Sequence, residues 1–361
     1  MKMKKQILVS TVASALALCA VSANAATVYS DDTSRLDIIG RMKVNLMNND
    51  ANPDRRLEGI SRLGVDGKTK VNENVAVYGQ VLYELQAQEP QNKDVDRIDI
   101  YYGYVGFDFG DFGKLQFGHN EDAFYQVSTV TDVFVDWGTN GSAYWGLTDN
   151  DYGGRKDGIA MYELNYNGFL LAASYQFKDA SKNVNYAVGA TAGYEFQIGE
   201  QPLGFRAGYN HYDGFRPHYD GEGPEHDKHQ YIGGDKNETA LSLYYGESGA
   251  PGLYAAFVYN WDKLENTYKV HGLETAVSYT TPGTDWTFTV AYAYLHNADR
   301  ELSKRSYLGS DDRVFKSAWT GEILYNLTSN FQIYGEAERL NTSVTSPEAQ
   351  NKLSLGLIYN F

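Results

Sequence analysis

Residues 352–361 read KLSLGLIYNF. Leu353, Leu355, Leu357, Tyr359 and Phe361 are apolar, and Lys352, Ser354, Gly356, Ile358 and Asn360 between them are mostly polar or small. Apolar residues at every second position mark an extended strand with two unlike faces. A strand with lipid on one side and water on the other needs this pattern. Soluble domains usually let their chain ends fray, so an alternating strand that closes on an aromatic residue points away from them.

The opposite end agrees. Lys2, Lys4 and Lys5 precede an apolar run from Ile7 to Val21, which closes with Ala23-Asn24-Ala25. This order of basic start, short apolar run and small-residue motif reads as a secretory signal, residues 1–25, with a single mature unit over 26–361. Ser10, Thr11 and Ser14 interrupt the run, which argues against a membrane anchor. No later apolar run approaches the ~20 residues of a transmembrane helix. Cys19 is the only cysteine, so the mature unit has no disulfide.

Removing residues 1–25, with their three lysines, would leave 336 residues and move the net charge from −15 to −18. That balance excludes nucleic acid as a partner. Tyr (30), Phe (16) and Gly (36) are abundant while Pro (8) is scarce. Such a chain suits a lipid-facing wall around a wet interior, although a large soluble β protein would share part of this profile.

Outward from residue 352 the same alternation recurs. Leu36–Met47 places Ile38, Gly40, Met42, Val44 and Leu46 on one face and Arg41, Lys43 and Asn45 on the other. Trp286–His296 sets Trp286, Phe288, Val290, Tyr292 and Tyr294 against Thr287, Thr289, Ala291 and Ala293. Val75–Leu85 and Gly252–Trp261 behave similarly, and further strands fall near 61–70, 97–107, 114–119, 158–166, 169–177, 184–196, 203–212, 238–245, 268–279, 314–326, 331–341 and 352–361. The expectation is an all-β protein, a transmembrane antiparallel barrel of sixteen strands. Short turns, such as Asn167–Gly168 and Thr328–Asn330, alternate with long polar connections at 48–60, 86–96, 120–157, 213–237, 298–313 and 342–351. An even strand number returns both ends to one side, and closure removes the unpaired edges that lipid forbids. Sixteen strands enclose more space than side chains fill, which implies an aqueous channel.

The longest connection, 120–157, carries Asp132, Asp136, Asp149 and Asp151 with Trp137, Tyr144 and Trp145. Long loops in compact barrels are usually functional. The segment 211–231 (HYDGFRPHYDGEGPEHDKHQY) mixes four histidines with carboxylates. Its spacing is irregular and Gly-rich, so it reads as a solvated external loop rather than a metal site. Neither G-x-S-x-G nor H-E-x-x-H occurs, and Gly106, Gly110 and Gly113 read as turn glycines rather than a phosphate cradle. No catalytic residue, metal or cofactor is expected.

TVTDVFVDWG (129–138) resembles the constriction loop of the Gram-negative general diffusion porins. ATVYSDDTSRLDIIGRMKV, SRLGVDGKTKVNENVAVYGQ and GFDFGDFGKLQFG are similar to that family as well, and the ending resembles the assembly signal of outer-membrane barrels. The resemblance implies a long loop folded into the lumen and a passive channel for small hydrophilic solutes and ions, in a homotrimer set in outer-membrane lipid. It implies loop acids Asp132 and Asp136 facing basic residues Arg41, Arg62 and Arg155. The remaining basic position of the family falls on Tyr101, with Arg97 as its substitute four residues earlier. Val135 stands where the family has a proline before the acid. The resemblance further implies Glu89 or Asp94 as latch acids between subunits and Tyr359 and Phe361 as assembly residues. The acidic balance adds an expectation of weak cation preference. A solute-selective channel, with loops that also serve as adhesin or receptor, is the alternative, and it calls for a continuous aromatic track or a basic eyelet.

Overall fold

The computed structural model describes residues 25–50, 52–86, 98–138, 154–180, 184–215, 234–265, 268–299, 314–343 and 350–361. Seventeen strands lie within them: β1 (Ala26–Ser30), β2 (Ser34–Asn49), β3 (Asn52–Lys70), β4 (Ala76–Gln86), β5 (Ile98–Asp108), β6 (Lys114–Glu121), β7 (Arg155–Tyr166), β8 (Phe169–Gln176), β9 (Tyr186–Ile198), β10 (Gln201–Phe215), β11 (Gly234–Tyr245), β12 (Gly252–Leu264), β13 (Tyr268–Thr280), β14 (Trp286–Asn297), β15 (Val314–Asn326), β16 (Phe331–Ser343) and β17 (Gln350–Asn360). From β2 to β17 each strand pairs antiparallel with the next, and β17 returns to pair with β2. Leu353 lies opposite Asn48 and Asn360 opposite Arg41. The sheet therefore closes as a sixteen-stranded barrel, in which the backbone groups along each strand find partners without water.

Side chains alternate across this wall as the sequence pattern requires. On β2, Met42, Val44 and Leu46 are 52, 42 and 40 % exposed, while Ile39 and Asn45 are buried. Exposed Leu353, Leu355, Leu357, Phe288, Val290, Leu241 and Leu243 continue the apolar outer surface around the barrel. An apolar surface of this extent has lipid as its solvent. The inner face is polar, with buried Glu238, Glu274, Glu322, Glu336, Thr320 and Ser354.

Two features depart from the pattern reading. Residues 48–60, expected as a long polar connection, are largely strand: β2 runs to Asn49 and β3 starts at Asn52. Residues 48–60 carry no apolar alternation, so nothing in the sequence marked them as strand. The second feature is β1, which no alternation signalled. It pairs with β2 over Arg35–Ile38, along the same edge that β17 occupies from Arg41 onward. β1 thus continues β17 end to end. At the junction Gly40 and Phe361 exchange two backbone hydrogen bonds of 2.7 and 3.0 Å. A Cβ at residue 40 would meet Phe361 Cζ at 2.3 Å, so only glycine admits the ring there.

Candidate functional site

The longest connection joins β6 to β7, and its described part follows the inner wall. It opens with Asp122, which accepts the Tyr125 N–H at 3.1 Å and Asn210 Nδ2 at 2.7 Å and pairs with Lys156. A single helical turn, α1 (Tyr125–Ser128), and a 3-10 turn (Thr129–Thr131) follow. Phe124, Val127 and Val130 pack on Ala240, Tyr244, Tyr254, Ala256 and Val258 of β11 and β12. Gly208 on β10 permits this approach, because a Cβ there would come within 2.6 Å of Val127.

Polar contacts then carry the loop around the barrel in strand order. Thr191 Oγ1 on β9 donates to the Ala123 carbonyl at 2.7 Å, and Arg206 on β10 donates to the Gln126 carbonyl at 2.5 Å. Tyr254 on β12 donates to the Val130 carbonyl at 2.6 Å, and Thr131 donates to Glu274 on β13 at 2.5 Å. Glu322 on β15 accepts the Val135 N–H at 3.1 Å. Glu336 on β16 accepts the Asp136 and Trp137 N–H groups at 2.9 and 2.6 Å. Backbone donors to carboxylates make charge-assisted hydrogen bonds, among the stronger kinds available. The loop is thus fastened to the arc from β7 round to β2 and leaves the wall of β3–β6 open.

Asp136 ends this arc. Its Oδ1 lies 2.5 Å from Lys43 Nζ on β2, and its Oδ2 accepts Tyr334 Oη at 2.7 Å. Asn45 Nδ2 reaches both oxygens at 3.2 Å. Burial pushes this carboxyl up, but the charge and hydrogen bond of Lys43, with Ser354 and Tyr334, outweigh it and hold it below the usual range. Asp132 stands differently. Tyr125 Oη donates to it at 3.3 Å, and among the described residues no cation lies within ion-pair reach. Burial raises its carboxyl above the usual range, against smaller opposing pulls from Tyr125, Arg155 and Arg62.

The open wall and the strands that flank it, β2 and β7, carry the basic residues. Arg41 and Arg62 are direct register partners on β2 and β3. Arg62 Nε pairs with Glu84 on β4 at 2.7 Å, which draws one of these two like charges aside. Arg41 Nε is buried without an acceptor among the described residues. Arg62 and Arg155 each lie over the ring of Tyr101, their guanidinium carbons 3.6 and 3.5 Å from its centre. Tyr101 packs edge-to-face on Tyr102 at 5.0 Å, and Tyr102 donates to Glu121. Asp132 and the arginines thus carry opposite charges that act on one another.

Three comparisons with known proteins bear on this arrangement. The profile of the Gram-negative porin family matches residues 11–345. The chain belongs to the Gram-negative porins. The porin is 30% identical over 212 residues to the outer membrane porin protein LC of Enterobacteria phage PA-2, an alignment that spans 57% of each chain. It is 23% identical to the outer membrane protein YedS of Escherichia coli over 99% of this chain and 100% of that one. In structure it resembles OmpF of Salmonella typhi, solved with daunomycin, with a TM-score of 0.75 at 18% identity, covering 93% of this chain and 100% of that one. An anion-selective porin from Comamonas acidovorans shares the fold at a TM-score of 0.64 and 16% identity, covering 91% of this chain and all of that one. The porin's place is the outer membrane, and its relatives form a channel family rather than an enzyme family.

Among the residues singled out in the sequence, the structure gathers Arg62, Arg155 and Tyr101 into one cluster beside Arg41. Asp132 lies on the loop. Asp136 pairs with Lys43, two residues along β2 from Arg41, on which its charge also acts. Tyr359 and Phe361 stack at 5.8 Å beside Gly40. Glu89, Asp94 and Arg97 lie outside the described residues, as does most of 211–231. His211 is on β10, with Nδ1 3.0 Å from Asn237 Oδ1. The pattern reading did not single out the loop tethers Glu274, Glu322 and Glu336. Their signal was an acid amid mid-strand apolar residues, as in GEILY and YGEAE.

Proposed function

We propose that this porin is a passive diffusion channel for small hydrophilic solutes and ions, weakly cation-selective and working as a homotrimer. The observation that carries the reading is the course of the loop. Its tethers run from β7 round to β2, so solute is left the passage between Asp132 and the wall of Arg41, Arg62 and Arg155. Opposite charges across a narrow gap create a transverse field that orients polar solutes and penalises apolar ones, which must displace ordered water. The acidic balance of the whole chain, with net charge −15, supports cation preference. Glu89 and Asp94 remain the proposed latch acids of the trimer, and Tyr359 and Phe361 the proposed assembly residues.

A second reading, a solute-selective channel, is favoured by one observation. Tyr78, Tyr104, Tyr102 and Tyr101 form a run of edge-to-face rings at 6.2, 6.2 and 5.0 Å along β4 and β5. Arg62 and Arg155 cover Tyr101, and Lys114 lies 5.9 Å over Tyr78, so few ring faces are left for a sugar to stack on. Single-channel recording in planar bilayers separates the two. A diffusion channel gives an ohmic pore with a mild cationic reversal potential and conductance unchanged by millimolar oligosaccharide. Saturable block by one sugar series would favour the selective channel.

A further inference from the structure

We propose that Tyr101 is a positioning residue of the constriction: its ring separates the guanidiniums of Arg62 and Arg155 and makes them act as one unit. The proposal rests on the reading of this wall as the constriction and adds a residue whose type, in a basic ladder, looks out of place.

Local geometry brings Tyr101 into the lumen. β4 and β5 pair in register up to Leu82–Tyr102, and the next pair is Tyr83–Ile100, so Tyr101 is the extra residue of a β-bulge. A bulge re-aims side chains and reverses the alternation beyond it. Ile98 and Ile100 accordingly face outward, 59 and 47 % exposed, while Tyr101 and Tyr102 are both buried. Both guanidinium carbons sit within 3.6 Å of one ring centre. Two planar cations at that distance cannot share a ring face without overlapping, so the ring lies between them. Each cation is attracted to the electron-rich face it covers, and the ring holds apart two charges that would otherwise repel.

The two arginines differ in how far they depend on the ring. Arg62 also has Glu84 at 2.7 Å. For Arg155, among the described residues, no carboxylate lies within ion-pair distance, and its close contacts are the rings of Tyr101 and, at 5.8 Å, Tyr102. The Tyr101 ring is itself fixed, being 9 % exposed and set at 88° against Tyr102. Its hydroxyl donates no hydrogen bond among the described residues, so the ring rather than the hydroxyl does the positioning.

A double-mutant cycle read by single-channel conductance tests this. Arg62→Ser and Arg155→Ser are combined in three backgrounds: native Tyr101, Tyr101→Phe and Tyr101→Leu. With Tyr or Phe, the double substitution changes conductance by clearly less than the product of the two single fold-changes, because the two cations clamp the ring from opposite faces and losing either one disturbs the seat of the other. With Leu, the fold-changes multiply. Folding is checked by heat-modifiable gel mobility, and Tyr101→Met replaces Leu if Leu gives no barrel. Multiplicative behaviour with native Tyr, or an unchanged shortfall with Leu or Met, overturns the proposal. A Tyr101 that served stability alone would lower the yield of folded barrel without altering the coupling. If neither single arginine substitution changes conductance or reversal potential, the constriction reading itself fails and takes this proposal with it.

Discussion

Lys43 Nζ on β2 lies 2.5 Å from Asp136 Oδ1, so this loop acid is paired at the wall. The pair is enclosed, its side chains 14 and 4 % exposed. Charge therefore enters the passage from Asp132 alone among the two loop acids singled out in the sequence.

Lys43→Met should leave Asp136 without its cation, and at a pH high enough to keep this burial-raised carboxyl ionised cation preference should rise. Asp136→Asn should free Lys43, and cation preference should fall. Either change also removes a charge-assisted contact of about 1.5–3 kcal/mol from the loop tip, so open-channel noise should increase. Reversal potentials in a salt gradient check the sign. Both shifts should shrink between 0.1 M salt, where the Debye length is about 10 Å, and 1 M, where it is about 3 Å. Opposite signs, or no shift at low salt, would refute the pairing.

Arg62→Ser removes a wall cation and its bulk and leaves Glu84 without its partner. Conductance should rise and cation preference should strengthen. The site faces water rather than lipid, so the heat-modifiable mobility of the barrel should stay as it is. Conductance equal to the parent would make Arg62 an ordinary lumen residue.

Asp132 sets an acid limb to selectivity. Burial holds its carboxyl above the usual range, so on acidification it gains its proton before an ordinary exposed aspartate does. The passage then keeps its arginines and loses its facing carboxylate. Cation preference should therefore decline as pH falls, from a higher pH in the parent than any decline left in Asp132→Asn. A pH series of reversal potentials on the two proteins decides this, and superimposable curves would exclude Asp132 as the titrating group.

Phe361 should be needed for assembly. Its backbone pairs with Gly40 at the seam where β17 meets β1, and its ring occupies the space a side chain at residue 40 would need. Deletion of Phe361 and the substitution Gly40→Val should both reduce the amount of folded barrel recovered from the outer membrane. Heat-modifiable mobility and immunoblotting measure this, and full abundance of both variants would refute it.

The barrel itself was legible in the sequence because its cause is local. Each strand stands between lipid and water, so Leu353, Leu355 and Leu357, or Trp286, Phe288 and Val290, record the environment two residues at a time. Where that contrast is missing the sequence falls silent: residues 48–60 carry no apolar alternation, and β1 only prolongs the edge held by β17. Parity alone also placed Arg41 and Lys43 inward on β2. Which of them meets an acid depended on where the loop tip comes to rest, and that is set by Glu322 and Glu336, nearly two hundred residues away in the chain. Tyr101 shows the same division. Strict alternation gives Tyr101 and Tyr102 opposite faces, and only the bulge against Leu82 and Tyr83 turns both inward. Such a shift is fixed by the register between two strands, because it arises from hydrogen-bond pairing across the sheet rather than from the residue types along one strand.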